Sequence, residues 1–270
     1  MYKSCKITGN PKITDIYTAF SQELGVDFHF RGETHDFWEL VCVTSGQICV
    51  VSYGRVFTLN KGQAILHSPM QFHNITAMGN AGSAIAVFSF HGEGIPQIQD
   101  KVIEIGDLSA VKSLLELVDK HYKLHHGFII KEPKNKNNAH LIYVKRLELF
   151  LLKLASGLTE KNQTVSRSAE NYAAIVETIK NNLERRLSVS ELADLCNMSK
   201  INLQKTFSHY AGVGVMEYYN RVKMRQAAIL LKEGLSVKEA ALRLGFYDQN
   251  YFSTVFKRVI GMPPSKVSRN

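Results

Sequence analysis

The sequence contains no apolar run close to the roughly 20 residues that a membrane-spanning helix needs. Its first residues, MYKSCKITGNPKITDIY, also contain no apolar stretch of the kind that a secretory signal requires. These two absences predict a cytoplasmic protein without a membrane partner.

Cysteine is scarce as well. The four cysteines form no CxxC pair and no Cys/His spacing typical of zinc; they are Cys5, Cys42, Cys49 and Cys196. Two of them lie inside apolar, strand-like runs. Buried free thiols are therefore expected, rather than a metal or redox site built on cysteine.

Composition and charge are those of a globular protein with a basic C-terminal part. The 270 residues are 45% hydrophobic and 21% charged, which suits about two soluble domains. The net charge is +9, and residues 169–270 alone hold 15 Lys and Arg against 9 Asp and Glu. This distribution agrees with binding to phosphate groups in the last hundred residues.

The front half alternates between short apolar runs and turn residues. VDFHF, WELVCV, QICVVSY, VFTL, QAILH and SAIAVFSF are rich in Val, Ile, Phe and Tyr, and RGETHD, TSG, YGR and NKG separate them. Many short strands at close spacing predict a small antiparallel barrel or sandwich over about residues 26–90.

Helical periodicity follows the predicted barrel. Apolar residues recur at steps of three and four from Leu108 to Tyr122 and from Leu141 to Leu154, with the polar loop KEPKNKNN (131–138) between them. We expect these helices, within about 107–154, to pack on the barrel or on a partner chain.

A polar linker and an all-helical segment complete the chain. The predicted fold is α+β with two domains: residues 1–156 form a β-barrel with two following helices, residues 157–171 a linker, and residues 172–270 an all-α domain.

The last hundred residues contain one pattern twice. Ser188–Gly212 reads SVSELADLCNMSKINLQKTFSHYAG, and Ser236–Gly261 reads SVKEAALRLGFYDQNYFSTVFKRVIG. The copies are 48 residues apart at Ala193 and Ala241 and 49 apart after the turn, so the second turn is one residue longer. A short helix, a tight turn and a second helix are the helix-turn-helix layout, which places one helix in the major groove of DNA. A helical solenoid would normally need at least three copies.

The first unit is predicted at about 188–209. Ser190 is positioned to cap its first helix and Ser199 to cap its second. The outward side chains of the second helix are candidate DNA contacts: Ser199, Lys200, Asn202, Gln204 and Lys205. Asn and Gln pair with adenine edges and Lys with guanine, whereas a serine at a helix N-terminus suits a phosphate.

The second unit is predicted at about 236–258. Gly245 permits its turn, and Asp248 caps its second helix. The candidate DNA contacts are Gln249, Asn250, Ser253, Thr254, Lys257 and Arg258, of which the last two suit phosphates better than bases. Between the units, Val215–Lys232 reads as one long helix. Such a spacer could hold two recognition helices in successive major grooves, roughly 34 Å apart.

These residues resemble the AraC/XylS family of bacterial transcription regulators over about Tyr172–Arg269. GFYDQNYFSTVFKRVIGMPPS is similar to the family pattern GFxDxxYFxxxFKxxxGxxPS, and the first unit is similar to ELAxxxxMSxxxLxxxF. The resemblance implies double-stranded promoter DNA and RNA polymerase as partners and an activating role. Family members often carry Arg where this chain has Thr254, so the bases read by the second unit are not predictable.

The front domain resembles the cupin-like sensor barrel of many family members, through GETHDFWELVCVTSG and SPMQFHNI. This resemblance implies a small-molecule effector, most often a sugar, in the barrel, and a homodimer formed through the adjoining helices. The candidate effector-binding residues are His35, Trp38, Glu39 and His73, with Phe28, Phe30 and Phe72 as further aromatic candidates.

Two other functions remain open. Glu33, His35, Glu39 and His73 have the spacing of a metal-binding cupin except that Glu33 replaces the first histidine, so a metal-dependent enzyme with a helical docking module is one alternative. A constitutive regulator whose barrel only dimerises is the other. The expectation is a regulator that is not an enzyme and has no metal or other cofactor.

Overall fold

The structure is a computed structural model, which describes residues 9–52, 54–131, 138–157 and 166–267. The chain divides into two compact units, Met1–Thr164 and Val165–Asn270. Cys5 and Arg269, most of the predicted loop 131–138 and residues 158–165 of the predicted linker lie outside the described residues. Among the helices of the described part, none is both long and apolar enough to cross a membrane.

The described part of the first unit is an antiparallel β domain followed by helices and a hairpin. Its strands are β1 (Lys12–Leu24), β2 (His29–Glu33), β3 (Trp38–Ser45), β4 (Gln47–Ser52), β5 (Arg55–Asn60), β6 (Gln63–His67), β7 (His73–Met78), β8 (Ser83–Glu93), β9 (Ile103–Glu104), β10 (Lys123–His125) and β11 (Phe128–Lys131). Its helices are α1 (Ser109–His121) and α2 (Ala139–Ser156). One sheet has the order β10-β11-β1-β8-β3-β6-β9, and the other has the order β2-β7-β4-β5.

The larger sheet contributes to two cores, as its strand β3 illustrates. Successive side chains of a strand point to opposite faces, so Leu40 and Cys42 of β3 join an apolar cluster with α1 and α2, while Val41 and Val43 join a second cluster with strands of the smaller sheet. The two helices therefore pack on the larger sheet, one of the two arrangements expected for them.

The barrel prediction began at residue 26 and so missed β1. This strand pairs with β8 along its length, but register shifts interrupt the pairing between Ile13 and Asp15 and between Ile16 and Thr18. A bulge inserts an extra residue and breaks the alternation of apolar and polar side chains, which is the signal that a strand prediction uses. The sequence analysis also missed the hairpin of β10 and β11.

The described part of the second unit is helical. Its helices are α3 (Arg167–Lys180), α4 (Val189–Leu195), α5 (Lys200–Ala211), α6 (Val215–Lys232), α7 (Val237–Arg243) and α8 (Gln249–Ile260), followed by a 3₁₀ turn at Pro264–Lys266. Helix α3 begins five residues before the predicted start of the all-α domain at residue 172, because the Ser166 side chain accepts a hydrogen bond from the Ala169 amide and caps it.

The two helix-turn-helix units begin with the same cap. Ser188, not the predicted Ser190, caps α4 in a capping box with Glu191, and Ser236 forms the same box with Glu239 at the start of α7. Ser190 lies inside α4. A serine followed three residues later by a glutamate marks the start of a helix, and Ser188 with Glu191 has this spacing.

The two turns use the same backbone conformation with different residues. Asn197 and Gly245 are both left-handed, at φ 53° and 73°. The extra residue of the second copy is Tyr247, which is 85% exposed. At Gly245 the approach is close, since a Cβ there would lie 2.6 Å from the Glu184 carbonyl oxygen. The second turn thus requires glycine for its conformation and for its contact.

We predict that Gly245→Ala destabilises the second unit more than Gly261→Ala does. Both glycines have positive φ, but a Cβ at Gly261 meets no atom within 4 Å. Gly261→Ala should cost only the left-handed strain, about 1–2 kcal/mol, and Gly245→Ala about 1 kcal/mol or more in addition because the chain must shift. Urea unfolding followed by helical circular dichroism measures both. Equal losses would mean that the Glu184 contact relaxes freely.

Candidate functional site

The second helix of the first helix-turn-helix unit, α5, presents its predicted polar face to solvent. Leu203 and Phe207 are fully buried, as the helical period predicts. The five candidate contacts are all exposed: Ser199, Lys200, Asn202, Gln204 and Lys205. The Ser199 side chain accepts a hydrogen bond from the Asn202 amide, so it caps α5 as predicted. The structure therefore brings these five residues to one accessible surface.

The corresponding helix of the second unit, α8, has a similar face. Phe252, Val255 and Phe256 are buried. Five of the candidates are exposed and one is half-buried; they are Gln249, Asn250, Thr254, Lys257 and Arg258, and Ser253. Asp248 caps the helix as predicted, accepting from the Asn250 and Tyr251 amides. The Thr254 hydroxyl donates to the Asn250 carbonyl at 2.9 Å, which leaves its methyl group and acceptor capacity for a partner.

Exposed apolar and aromatic side chains also lie on these two helices, and the sequence analysis did not select them as candidate DNA contacts. Ile201 is 79% exposed near the start of α5, and Tyr251 is 54% exposed near the start of α8. A search for polar outward residues passes over such side chains. Their position in the sequence could have identified them, because both closely follow the capping residue of their helix. Apolar groups at that end of a recognition helix can contact thymine methyl groups.

A cluster of arginines lies beside α8. Arg221 and Arg225 of α6 and Arg258 of α8 line one surface cavity of about 510 Å³. Arg221 also contacts Glu217, its Nη2 lying 2.7 Å from the carboxylate Oε1. Burial lowers the pKa of Arg225, although a guanidinium stays charged at neutral pH. Planar, clustered guanidinium groups suit phosphate oxygens.

One buried lysine joins the two helix-turn-helix units. Lys223 of α6 is only 2% exposed. Its ammonium group donates to the Arg185 carbonyl, just before α4, and at 2.9 Å to the Leu244 carbonyl, in the turn of the second unit. The Tyr219 hydroxyl also donates to Arg185, at 2.6 Å. Burial lowers the pKa of Lys223 to about 8, so the group remains protonated at neutral pH.

The first unit contains a cleft between its two sheets, with a volume of about 520 Å³. Phe20, Phe28 and Phe30 supply aromatic walls, and Ile75 and Val87 line the interior. The carboxylates of Glu33 and Glu39 face the same cleft. The arrangement of apolar walls with a few converging polar groups is typical of a small-molecule site.

The structure brings three of the four predicted effector residues together and adds Glu33. The His73 Nε2 atom lies 3.0 Å from Glu39 Oε1, and the His35 Nε2 atom lies 3.6 Å from Glu39 Oε2. Glu33 Oε1 is 3.9 Å from His35 Nε2 and 4.0 Å from His73 Nε2. Gly32, at φ 87°, lets β2 approach β7, where Glu33 is paired with His73.

Trp38 lies on the other face of the sheet. It packs against the cluster formed with α1 and α2, and the residues lining the cleft include its neighbour Phe37 instead. The alternation of side chains along β3 explains the difference, because adjacent residues of a strand cannot share a face. Phe72 is buried, with its ring close to Gly32.

The charges in the cluster perturb one another. Burial acts to raise the pKa of Glu39, but the adjacent His35 and His73 outweigh it and hold that pKa well below its usual range. Burial and the neighbouring Glu39 raise the pKa of Glu33. For His73, burial is outweighed by Glu39, and the pKa is raised. The carboxylate form of Glu39 is thus favoured by its histidine neighbours, whereas burial and Glu39 disfavour the carboxylate form of Glu33.

Both units match known protein families. Residues 192–270 match the Helix-turn-helix domain family, and residues 23–116 match the AraC-like ligand binding domain family. The transcriptional regulator YpdC of Escherichia coli K12 is 33% identical over 98 residues, 36% of this chain and 34% of the relative. YbfI of Bacillus subtilis 168, also an HTH-type transcriptional regulator, is 22% identical over 235 residues, 84% of this chain and 82% of the relative.

The chain spans only about a third of the length of the first curated relatives it matches. Among solved structures, ToxT of Vibrio cholerae O395 is 16% identical, covering 93% of this chain and 96% of that chain, with a TM-score of 0.37. At that score the superposition adds nothing to the two domain assignments.

The chain thus combines a match to an AraC-like ligand-binding domain with a match to a helix-turn-helix domain, and its relatives YpdC and YbfI are HTH-type transcriptional regulators. Each family model covers about a third of the chain, and both agree with the resemblance to the AraC/XylS family. The resemblance predicted from the sequence is confirmed, in both units.

We predict that Lys223→Met destabilises the second unit by about 1–3 kcal/mol, since the Leu244 carbonyl loses a charged donor in a buried place. Methionine keeps most of the volume of the side chain, so cavity formation contributes little. Lys232→Met is the matched control, because Lys232 is an exposed lysine of the same helix, and it should change stability by no more than about 0.5 kcal/mol. Denaturant midpoints measure both; indistinguishable midpoints would contradict the role assigned to Lys223.

Proposed function

We propose that the chain regulates transcription by binding double-stranded promoter DNA, with α5 and α8 each lying in a major groove. The observation that carries this proposal is the pair of helices in one unit, each capped at its start and each exposing polar side chains. The basic charge of this part of the sequence supports it. A helical spacer of 18 residues, α6, lies between the two pairs in the chain.

The exposed residues divide into base readers and phosphate contacts. Asn202, Gln204, Gln249 and Asn250 carry amide groups, which can pair with adenine edges. The phosphate contacts proposed are Ser199, Lys257 and Arg258, together with the arginine cluster of α6. Ser199 suits this role because it lies at a helix N-terminus, where the dipole favours an anion.

We propose further that a small-molecule effector binds in the cleft of the first unit and changes how tightly the promoter is held. The cleft combines Phe28, Phe30 and Phe37 with two carboxylates. Aromatic faces beside hydrogen-bonding groups suit a sugar, whose ring has an apolar face and a polar edge. An activating role and contact with RNA polymerase follow from the family resemblance.

A homodimer is part of the same proposal. Helix α2 leaves four large apolar side chains exposed, namely Leu141, Ile142, Leu149 and Leu152. They lie in an otherwise well-packed helix whose Leu147 and Leu151 are fully buried. Exposed apolar groups repeated along one helix favour contact with another copy of the chain. Analytical ultracentrifugation of the full chain tests this point.

Two alternatives lead to different measurements. A constitutive regulator with a purely dimerising barrel predicts that no small molecule raises the melting temperature of the protein, whereas bound effector stabilises the folded state. An enzyme predicts turnover of the molecule that binds. We propose that the chain is not an enzyme, on the support of both domain matches.

The test of DNA reading is selection from genomic DNA. Full-length protein is incubated with fragmented DNA of its source at ~150 mM salt, where nonspecific binding is weakened, and the retained fragments are sequenced. A few promoters with two contact blocks about 10 bp apart are expected. No enrichment, with or without a panel of sugars, would overturn the proposal.

We predict that Gln204→Ala and Lys257→Ala weaken DNA binding in different ways. Loss of a base contact should cost about 1–3 kcal/mol on the selected sequence and relax the preference at one position. Loss of a phosphate contact should weaken binding to all sequences and reduce the salt slope by about 1. Titrations on specific and random DNA at several salt concentrations separate the two. The same effect of both variants on both DNAs would contradict the division of roles.

We predict that Phe30→Ala lowers the affinity for the effector about tenfold, because it removes about 1.4 kcal/mol of apolar contact. The effector is first found as the sugar that raises the melting temperature of the full chain. Met78→Ala, at an exposed position at the end of β7, serves as the control and should bind it normally. Calorimetric titration measures the affinities, and an unchanged affinity in Phe30→Ala would place the effector elsewhere.

A further inference from the structure

The cluster of Glu33, His35, Glu39 and His73 has no role in reading DNA. One donor atom from each of the four residues lies within 4.8 Å of every other. The side chain of His73 is 1% exposed and those of His35 and Glu39 are each 10% exposed. Neither histidine Nε2 atom has a hydrogen-bond partner of acceptable geometry, although both are buried.

The other ring nitrogens fix the tautomers. His35 Nδ1 lies 3.0 Å from the Phe37 carbonyl oxygen, and His73 Nδ1 lies 3.1 Å from the Gln71 carbonyl oxygen. A carbonyl only accepts, so each Nδ1 must carry the proton. In the neutral rings each Nε2 then presents a lone pair, and the groups facing it are carboxylate oxygens, which are acceptors too.

Acceptors that converge in this way are stabilised by a positive charge placed between them. Protonation of His73 would satisfy one contact with Glu39 and leave His35 facing the other carboxylate oxygen. A divalent cation satisfies both Nε2 atoms and both carboxylates at once, since it accepts electron pairs from all four. It also supplies two positive charges against the two negative charges of Glu33 and Glu39.

The spacing of the donor atoms agrees with a metal centre. Ligands at about 2.0–2.1 Å around a tetrahedral ion lie roughly 3.3 Å from one another. The observed separations from Nε2 to carboxylate oxygen are 3.0, 3.6, 3.9 and 4.0 Å. Two of these separations exceed the tetrahedral spacing by about 0.6–0.7 Å, and the four donor atoms lie up to 4.8 Å apart, so binding would draw the half-exposed Glu33 inward.

The groups behind the donors are those that orient metal ligands. Metal-binding histidines usually donate their other N–H to a carbonyl or a carboxylate, as both rings do here. The Ser89 hydroxyl donates to Glu39 Oε2 at 3.2 Å, and the Thr18 hydroxyl lies 2.5 Å from that of Ser89. Glu39 is therefore held in place independently of His35 and His73.

We propose that Glu33, His35, Glu39 and His73 bind one divalent transition-metal ion. In the sequence, Glu33 is the one departure from the spacing of a metal-binding cupin; the structure turns the carboxylate of that residue toward both imidazoles. Two imidazoles and two carboxylates suit Zn²⁺, Co²⁺ or Mn²⁺ rather than Ca²⁺. The ion lies at the wall of the cleft, because Glu33 and Glu39 line it. The proposal does not depend on DNA binding.

Co²⁺ is the probe that tests it. Full-length protein is stripped with a chelator, dialysed, and titrated with Co²⁺ while visible absorption is recorded. One Co²⁺ per chain, with ligand-field bands that Zn²⁺ abolishes by displacement, is the expected result. A folded protein that binds no Co²⁺ and no Zn²⁺ would overturn the proposal, whatever its behaviour toward DNA.

Variants locate the ion. Glu39→Gln and His35→Asn should each weaken Co²⁺ binding by about tenfold or more. His29→Gln is the matched control, since His29 is an exposed histidine of β2 outside the cluster, and it should bind like the wild type. His35→Asn leaves Glu39 and His73 in place and decides the matter if Glu39→Gln does not fold. Unchanged affinity in His35→Asn, or loss in His29→Gln alone, would refute the assigned site.

Discussion

The Lys223 ammonium group binds carbonyl oxygens from two parts of the second unit, one before α4 and one in the turn between α7 and α8. The aromatic rings of Tyr219 and Phe246 lie 4.6 and 5.2 Å from it. A rigid connection of this kind matters because two recognition helices read one DNA duplex only if their separation is fixed. A buried charge with its donors satisfied is costly to rearrange, so the spacing of the two helix pairs depends on it.

Each helix-turn-helix copy is determined largely by its own local sequence. Both copies use a capping box at the first helix, a left-handed residue in the turn and a capped second helix, so each is locally determined. What local sequence does not determine is how one copy sits against the other. That relation rests on α6 and on the close approach of Gly245 to the segment before α4, where no side chain would fit.

The sequence predicted the exposed faces of α5 and α8 well, because a helix of period 3.6 with Phe207 or Phe256 buried leaves few choices for the opposite face. It failed where the answer depended on strand register. Trp38 and Glu39 are neighbours in the chain yet lie on opposite faces of β3. The burial of Lys223 was equally beyond sequence reasoning: nothing local distinguishes it from Arg221, which is half-exposed on the same helix. Tertiary contacts decide such cases.

The carboxylates in the cleft limit what the first unit can bind. Glu39 is almost fully buried beside two histidines whose Nδ1 protons are already used, so a negatively charged effector placed there would add a third anion to a site short of cations. If the cluster binds the proposed ion, that ion would supply the positive charge that such a molecule needs. A neutral sugar is not repelled by the carboxylates, and its hydroxyl groups can donate hydrogen bonds to Glu33 directly. On the proposed metal site, the charge of the effector and the metal content of the protein are therefore linked: an anionic effector would favour the cluster with its ion bound, and a neutral one would not depend on that ion.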